Sequence, residues 1–369
     1  MINLLFVTKL TKISLTQFKS FLNQEFKFNY PFIAITGKNG IGKTNLLDAI
    51  YYLCYTKSYF NFREAENVHY QTNGFRLEAQ WTVNNKTFHA ICRYDLSKKQ
   101  WWINDELLNK NNDYLGHFHA VMVAPDDINI INAGSDLRRR FIDGILAQED
   151  TKYLQHLLEY QKTLAQKSAY LKATPYQNIQ TAMLDVYDTQ LTQHSKYIIE
   201  KRRIFSDAFP KIVQEFYEKL SGNAERIDII YDSITIEPEA IEQFYFSQRQ
   251  TDIQLKRTTK GIHNEDWDFL MNENSVKRFS SQGQKKTFLF SLKLAQWSWL
   301  LERGIHAILL LDDLFEKIDQ HRLQNLFTVI EELKIEQVFF THPSAEDIKK
   351  LIEDYHLNGE IINLDEVLK

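Results

Sequence analysis

Cysteine is scarce: Cys54 and Cys92 are the two among 369 residues. They stand far apart with no CxxC, which argues against a disulfide scaffold or a structural zinc site and fits a reducing cytoplasm. Glycine and proline are sparse as well, 12 and 6, and no low-complexity tract, disordered tail or internal repeat is evident. No apolar run approaches the ~20 residues that a membrane-spanning helix needs. The apolar start, Met1–Leu10, reads as the first strand of a sheet rather than a secretory leader. Charge of one sign is not in excess either. The net charge of −4 leaves only local patches for any nucleic-acid surface. The expectation is a soluble, cytoplasmic protein of two or three domains with no membrane partner.

What is present begins with Gly37-Lys38-Asn39-Gly40-Ile41-Gly42-Lys43-Thr44. It fills every fixed position of the phosphate-loop pattern G-x-x-x-x-G-K-[ST]. Pro31–Thr36 before it reads as a short buried strand, and Asn45–Leu53 after it as a helix. Glycines at 37, 40 and 42 let successive amides point at a phosphate. Lys43 is placed to reach the β- and γ-phosphates, and the Thr44 hydroxyl to take a Mg²⁺ position. Nucleoside-triphosphate binding is the direct reading.

Along the chain, alternating apolar residues predict strands within 4–36, then at 75–83, 88–94 and 100–103, with Asn84-Asn85 as a hairpin turn. Ala120–Ala124 reads as a buried strand. From Asp136 the spacing turns helical, punctuated by Pro175 and Pro210, and 227–236 reads as strand. Ser280–Gln284 precedes a helix predicted from Lys285 to about Glu302, and Ala307–Asp313 reads as a central strand ending in two carboxylates. The expected architecture is α/β: residues 1–125 and 276–369 form the two halves of a nucleotide-binding head around an inserted, mainly helical lobe, 126–275.

Asp312 at the end of that strand is the expected Mg²⁺ carboxylate, and Asp313 is placed to orient or deprotonate an attacking water. Ser281-Gln282-Gly283-Gln284, before a helix, offers a hydroxyl, a glycine amide and a helix N-terminus for an anion. As a bare pattern it equally describes a serine helix cap. An [ST]-x-G-Q sequence about thirty residues before such a strand resembles the signature of ABC-type ATPases, which sandwich two nucleotides between two heads. That resemblance places Asp319 at the dimer seam and His342, after the strand 337–341, at the switch position.

Several stretches resemble the RecF family of bacterial replication and repair proteins over nearly the whole length. They are Gly37–Ile50, with Asp48 where the family usually has Glu; Ala124–Ile131 followed by Arg138-Arg139-Arg140-Phe-Ile-Asp143; Tyr160–Ser168, with Lys167 and Ser168 for Arg and Asn; and Ser281–Thr287. Gly261–Asp266 departs from the family's Gly-Pro-His-Arg-Asp-Asp, keeping His263 and Asp266. Met1–Val7 reads as an extension on the family's usual start. The resemblance implies an ATP-dependent homodimer with weak ATPase activity. It would bind gapped or single-/double-strand junction DNA and work with RecR-type and RecO-type proteins to load RecA. Arg138, Arg139 and Arg140, adjacent on one helical turn, are the candidate DNA contacts. The competing reading is an ABC-type ATPase serving another protein partner, in transport or as a scaffold, without DNA. A long-armed SMC protein is excluded by the short insertion, which lacks sustained heptads.

Overall fold

The computed structural model describes residues 8–95, 97–222, 225–233, 240–313 and 320–368. Chain contacts divide it into two compact units. One comprises Met1–Asp127, Lys219–Gly222 and Leu292–Lys369; the other comprises Ile128–Glu218 and Asn223–Ser291.

The first unit is built on two sheets. Its five-stranded sheet is all parallel, in the order Gly359–Asn363, Phe32–Thr36, Val338–His342, Ala307–Leu311, His119–Val123. Phe-Ile-Ala-Ile-Thr and Ala-Ile-Leu-Leu-Leu are buried at every position. Such unbroken apolar runs are expected where both faces of a parallel strand are covered. The register aligns Thr36 with His342 and with Asn363, and Leu311 with both Val123 and Phe340. The chain therefore leaves these strands along one carboxyl edge, where open α/β sheets bind ligands.

The second sheet is antiparallel, ordered Phe21–Lys27, Thr8–Phe18, Phe75–Val83, Lys86–Tyr94, Lys99–Ile103, Glu106–Leu107. Its tight hairpin turns on Asn84 and Asn85, both at positive φ (50° and 61°), the conformation a two-residue loop between right-twisted strands requires. Leu15, Phe18, Trp81 and Trp101 form one core with Leu46, Ile50 and Tyr52 of the helix Lys43–Tyr55. Trp81 stacks on Phe118 at 4.5 Å. This aromatic packing clamps the helix that carries the phosphate loop.

The second unit is mainly helical: Ser135–Glu149, Thr151–Ala173, Thr181–Ser221 (its last turn belongs to the first unit) and Ile241–Leu255, with a three-stranded sheet of Ile227–Asp232, Asp266–Met271 and Asn274–Ser275. Two expectations are corrected here. Pro210 does not end a helix but lies inside Thr181–Ser221. Proline there removes one backbone hydrogen bond, and the buried residues Phe205, Phe209, Val213 and Tyr217 on both sides keep the helix packed through it. The signature helix starts at Gln282, three residues before the expected Lys285. Among the described residues no helix is long and apolar enough to cross a membrane.

Charge, as much as apolar area, organises the lobe's interior. Lys167 is fully buried and bridges Asp188 and Asp252, each at 2.8 Å. Arg249 closes on the other oxygen of Asp188 at 2.6 Å, and Thr259 donates its amide and hydroxyl to Asp252. Arg202 grips both oxygens of Asp143 at 2.9 Å and also donates to Glu265 and the Ile262 carbonyl. Removing one partner of such a buried pair strands the other charge and costs about 3–5 kcal/mol. Lys167→Ala is therefore expected to lower the thermal midpoint of the lobe's unfolding well below that of an exposed control such as Lys162→Ala. An equal midpoint for the two variants would contradict this account of the lobe.

Candidate nucleotide site

The phosphate loop leaves Phe32–Thr36 and enters the helix Lys43–Tyr55 through Gly42 at φ 116°. A side chain at 42 is excluded twice over. The backbone angle disfavours it, and a Cβ would lie 2.6 Å from Ser20 Oγ and 3.2 Å from the Phe21 ring. Lys43 Nζ folds over its own loop, donating to the Gly37 carbonyl at 2.7 Å, the Lys38 carbonyl at 3.2 Å and Asn39 Oδ1 at 3.3 Å. Asn45 donates to Ser20 Oγ, and the Lys38 amide donates to Asp365 Oδ2 at 3.0 Å. Gly40 has open space around it, and Ile41 packs against the sheet core.

Residues 268 apart in sequence meet at the next contact. Thr44 Oγ1 lies 3.0 Å from each carboxylate oxygen of Asp312. Thr341 Oγ1 donates to the same carboxylate at 2.9 Å and accepts the Asp313 amide at 2.8 Å. A hydroxyl and a carboxylate in contact form an oxygen donor pair of the kind Mg²⁺ shares with substrate phosphates. Among the described residues no group of three or more His, Cys, Asp or Glu side chains is arranged to hold a metal, so the pair needs phosphate and water oxygens to complete a shell. Burial pushes the Asp312 carboxyl above its usual range, and neighbouring Asp313 adds to this. The Thr341 and Thr44 hydroxyls and the charge of Lys43 work the other way.

Asp313 is held at φ 46°, a left-handed conformation that a non-glycine residue adopts at a cost and that clusters at functional sites. His342 ends its strand with Nδ1 3.0 Å from the Ser344 carbonyl oxygen and 3.1 Å from the Ser344 amide nitrogen. The backbone thus orients the ring in either tautomer. Asp319 lies outside the described residues.

In the second unit, Ser281 and Gln284 cap the signature helix reciprocally. Ser281 Oγ accepts the Gln284 amide at 3.2 Å, and Gln284 Oε1 accepts the Ser281 amide at 2.8 Å. This is a capping box. Ser281 and Gln282 remain exposed, while Gly283 and Gln284 are half-buried. The helix-cap reading and the anion-site reading are therefore compatible: the cap organises an outward-facing N-terminus.

The three adjacent arginines differ in their surroundings. Arg138 does not face outward as part of a shared patch: its Nε and one terminal nitrogen bind both oxygens of Asp266 at 2.8 Å, and it donates to the Ala133 carbonyl. Arg139 donates to the Glu265 carbonyl at 2.6 Å. Only Arg140 is exposed. The retained Asp266 of the Gly261–Asp266 segment supplies the acceptor, a pairing across 128 residues that spacing could not announce.

Sequence reasoning also missed Thr341, Asp365 and a buried polar cluster behind the loop. Asp48 accepts from Ser58 Oγ and the Tyr59 amide, both at 2.7 Å, and pairs with Lys19. Asp127 accepts from the Tyr59 hydroxyl, the Ala124 amide and Lys293. Thr341 could have been found, as a hydroxyl beside His342 at the end of a buried strand. Asp365 carries no such signal.

With the site described, the chain can be set beside known proteins. Residues 9–357 match the family model of the RecF/RecN/SMC N-terminal domain. DNA replication and repair protein RecF of Flavobacterium johnsoniae is 34% identical over 358 residues, covering 96% of this chain and 99% of that protein. RecF of Cytophaga hutchinsonii is 35% identical over 332 residues, covering 89% and 88%. Among solved structures, a recombination mediator RecF bound to ATP, described as part of the RecFOR pathway, superposes with TM-score 0.85 at 27% identity over 92% of this chain and 93% of that one. A Pyrococcus furiosus Smc head shares the fold alone, at TM-score 0.56 and 16% identity, covering 96% and 93%. The fold is thus the mixed α/β RecF/SMC ATPase head with a helical insert, and the chain belongs to the RecF family of DNA replication and repair proteins.

Proposed function

We propose that this chain is an ATP-switched recombination mediator that acts as a homodimeric clamp on DNA. The observation that carries the reading is the Thr44–Asp312 contact, which joins the two halves of a triphosphate site within one head. Gly37–Thr44 and Asn45 hold the phosphates of ATP, and Thr44 and Asp312 hold Mg²⁺. Held there, Mg²⁺ would supply neutralising charge to the triphosphate. Lys43 exchanges its three loop acceptors for phosphate oxygens. Asp313, whose backbone amide donates a hydrogen bond to the Thr341 hydroxyl, orients water, and His342 faces the same edge. Ser281–Gln284 and Asp319 of one copy complete the site of the other, so ATP bridges two subunits and hydrolysis releases them. The clamp recognises gapped or junction DNA in the cytoplasm and works with RecR-type and RecO-type proteins to load RecA. The short carboxylate of Asp313 must sit close to its water, which favours slow turnover, below about 10 per second.

The engagement of Arg138 and Arg139 inside the lobe favours keeping a second reading, an ATP-driven dimer whose partner is a protein rather than DNA. Anisotropy of a labelled gapped duplex, with and without ATP–Mg²⁺, separates the two, with light scattering to report subunit mass. ATP is expected to tighten DNA binding and double the mass. Dimers that ignore DNA at moderate salt would leave the protein-partner reading.

Two variants probe the site. Ser281→Arg is expected to abolish dimerisation while each subunit still binds ATP. Ser281→Asp, which keeps a capping oxygen but sets a negative charge toward the partner's nucleotide, is expected to do the same, so loss of the cap alone cannot explain the result. At Asp312 the raised carboxyl pKa means the neutral form stabilises the fold below the ordinary carboxylate range. That contribution is lost as pH rises through the raised value. At neutral pH the charge is a cost of the nucleotide-free head, and Asp312→Asn should match or exceed the wild-type melting temperature without nucleotide. It should also lose the rise that ATP–Mg²⁺ produces. A nucleotide-free melting temperature several degrees lower would refute this electrostatic reading.

A further inference from the structure

The helical lobe contains a cleft of about 200 Å³ whose walls include Arg139, Arg140, Gln161, Tyr160 and His263. We infer that this cleft binds the phosphate group of a monoester, independently of the nucleotide site in the head.

The argument starts from how its charges are committed. Arg202 and Asp143, also in the lining, are bound to each other through three hydrogen bonds. Arg138 is likewise matched by Asp266. Two guanidiniums then remain. Arg139 has a single acceptor among the described residues, the Glu265 carbonyl, which leaves most of its five N–H groups unused. Arg140, exposed at the cleft, has none among them. One carboxylate of the lining, Asp136, is exposed and opposes the pair. A guanidinium presents paired donors whose geometry matches phosphate.

The local potential agrees with this count. Burial holds Arg139 below the usual arginine range, and the charge of Arg202 lowers it further. Burial, together with Arg139 and Arg202, pulls His263 down to about 4. The imidazole is therefore neutral at physiological pH. Its Nδ1 lies 2.7 Å from the Tyr160 hydroxyl oxygen. His263 and Tyr160 thus form an uncharged wall, and the two arginines supply the charge. Leu157, Leu164 and Ile262 close the cleft with apolar surface. Drug-sized sites begin at about 300 Å³, so this smaller volume suits a phosphate bearing little more than a sugar. Such a group could end a DNA strand or belong to a small phosphorylated molecule.

The test is equilibrium dialysis of radiolabelled orthophosphate against the full chain, with the phosphate loop filled by a non-hydrolysable ATP analogue. Saturable binding is expected, weakened at least tenfold by Arg140→Ala and by Arg139→Ala and unchanged by Lys211→Ala, an exposed cation elsewhere on the lobe. Because Arg140 is exposed and without a partner among the described residues, its truncation leaves the fold intact, which near-native circular dichroism would verify. A second arm compares a labelled duplex with phosphorylated and with dephosphorylated ends. If phosphorylation tightens binding and Arg140→Ala erases the difference, the ligand is a strand end. If the ends bind equally while orthophosphate still binds through Arg139 and Arg140, the ligand is a small phosphorylated molecule. No saturable binding, or binding that both arginine variants retain, would overturn the inference. This outcome is independent of whether ATP drives dimerisation or DNA binding.

Discussion

Everything at the nucleotide edge depends on keeping one carboxylate charged in a place that disfavours charge. Asp312 is only 3% exposed and rests on two hydroxyls, Thr44 and Thr341. Those hydroxyls come from the phosphate-loop helix and from the end of the neighbouring strand. The carboxylate is thus the point where three chain segments agree on position. The parallel register makes that agreement possible, because Leu311, Phe340 and Val123 share one level of the sheet, and His342 and Thr36 share another two residues further along. The same hydroxyl of Thr341 also holds the Asp313 amide, so both aspartates at the strand end are positioned by a single side chain.

Behind this edge the head uses polar anchors sunk in an aromatic core. Asp48 reaches Ser58, Tyr59 and Lys19 from the phosphate-loop helix. Tyr59 passes the connection to Asp127, which also takes Lys293 of the signature helix. Burying these groups is tolerable only because each finds partners. The arrangement ties the loop's helix to the strand end at Ala124 more rigidly than apolar contact alone would.

The lobe follows the same logic with stronger charges. Lys167 bridges two aspartates in a fully buried setting. Arg202 does the equivalent with Asp143 and Glu265. Within this ion-paired interior a cation cluster in sequence does not amount to a cation cluster on the surface. Arg138 is paired with Asp266, Arg139 belongs partly to the backbone of Glu265, and Arg140 is exposed. A net charge near zero for the chain as a whole hides these local allocations.

By itself the sequence determined the nucleotide chemistry and the class of fold. The loop Gly37–Thr44 needs glycines where φ is positive, and the apolar run before Asp312 can only be a strand covered on both faces. Both signals are local, so they survive without coordinates. The Asn84-Asn85 hairpin was legible for the same reason, being set by two residues' own backbone preference. Tertiary structure decided what required distant residues to meet. Helix continuation through Pro210 follows from packing on both sides of it rather than from proline's own tendency to break helices. Thr341 and Asp365 joined the site, and Arg138 met Asp266, through contacts spanning 29, 327 and 128 residues. Pairing energy in a buried setting depends on what stands opposite a charge, and nothing in the local spacing of Arg138 names Asp266.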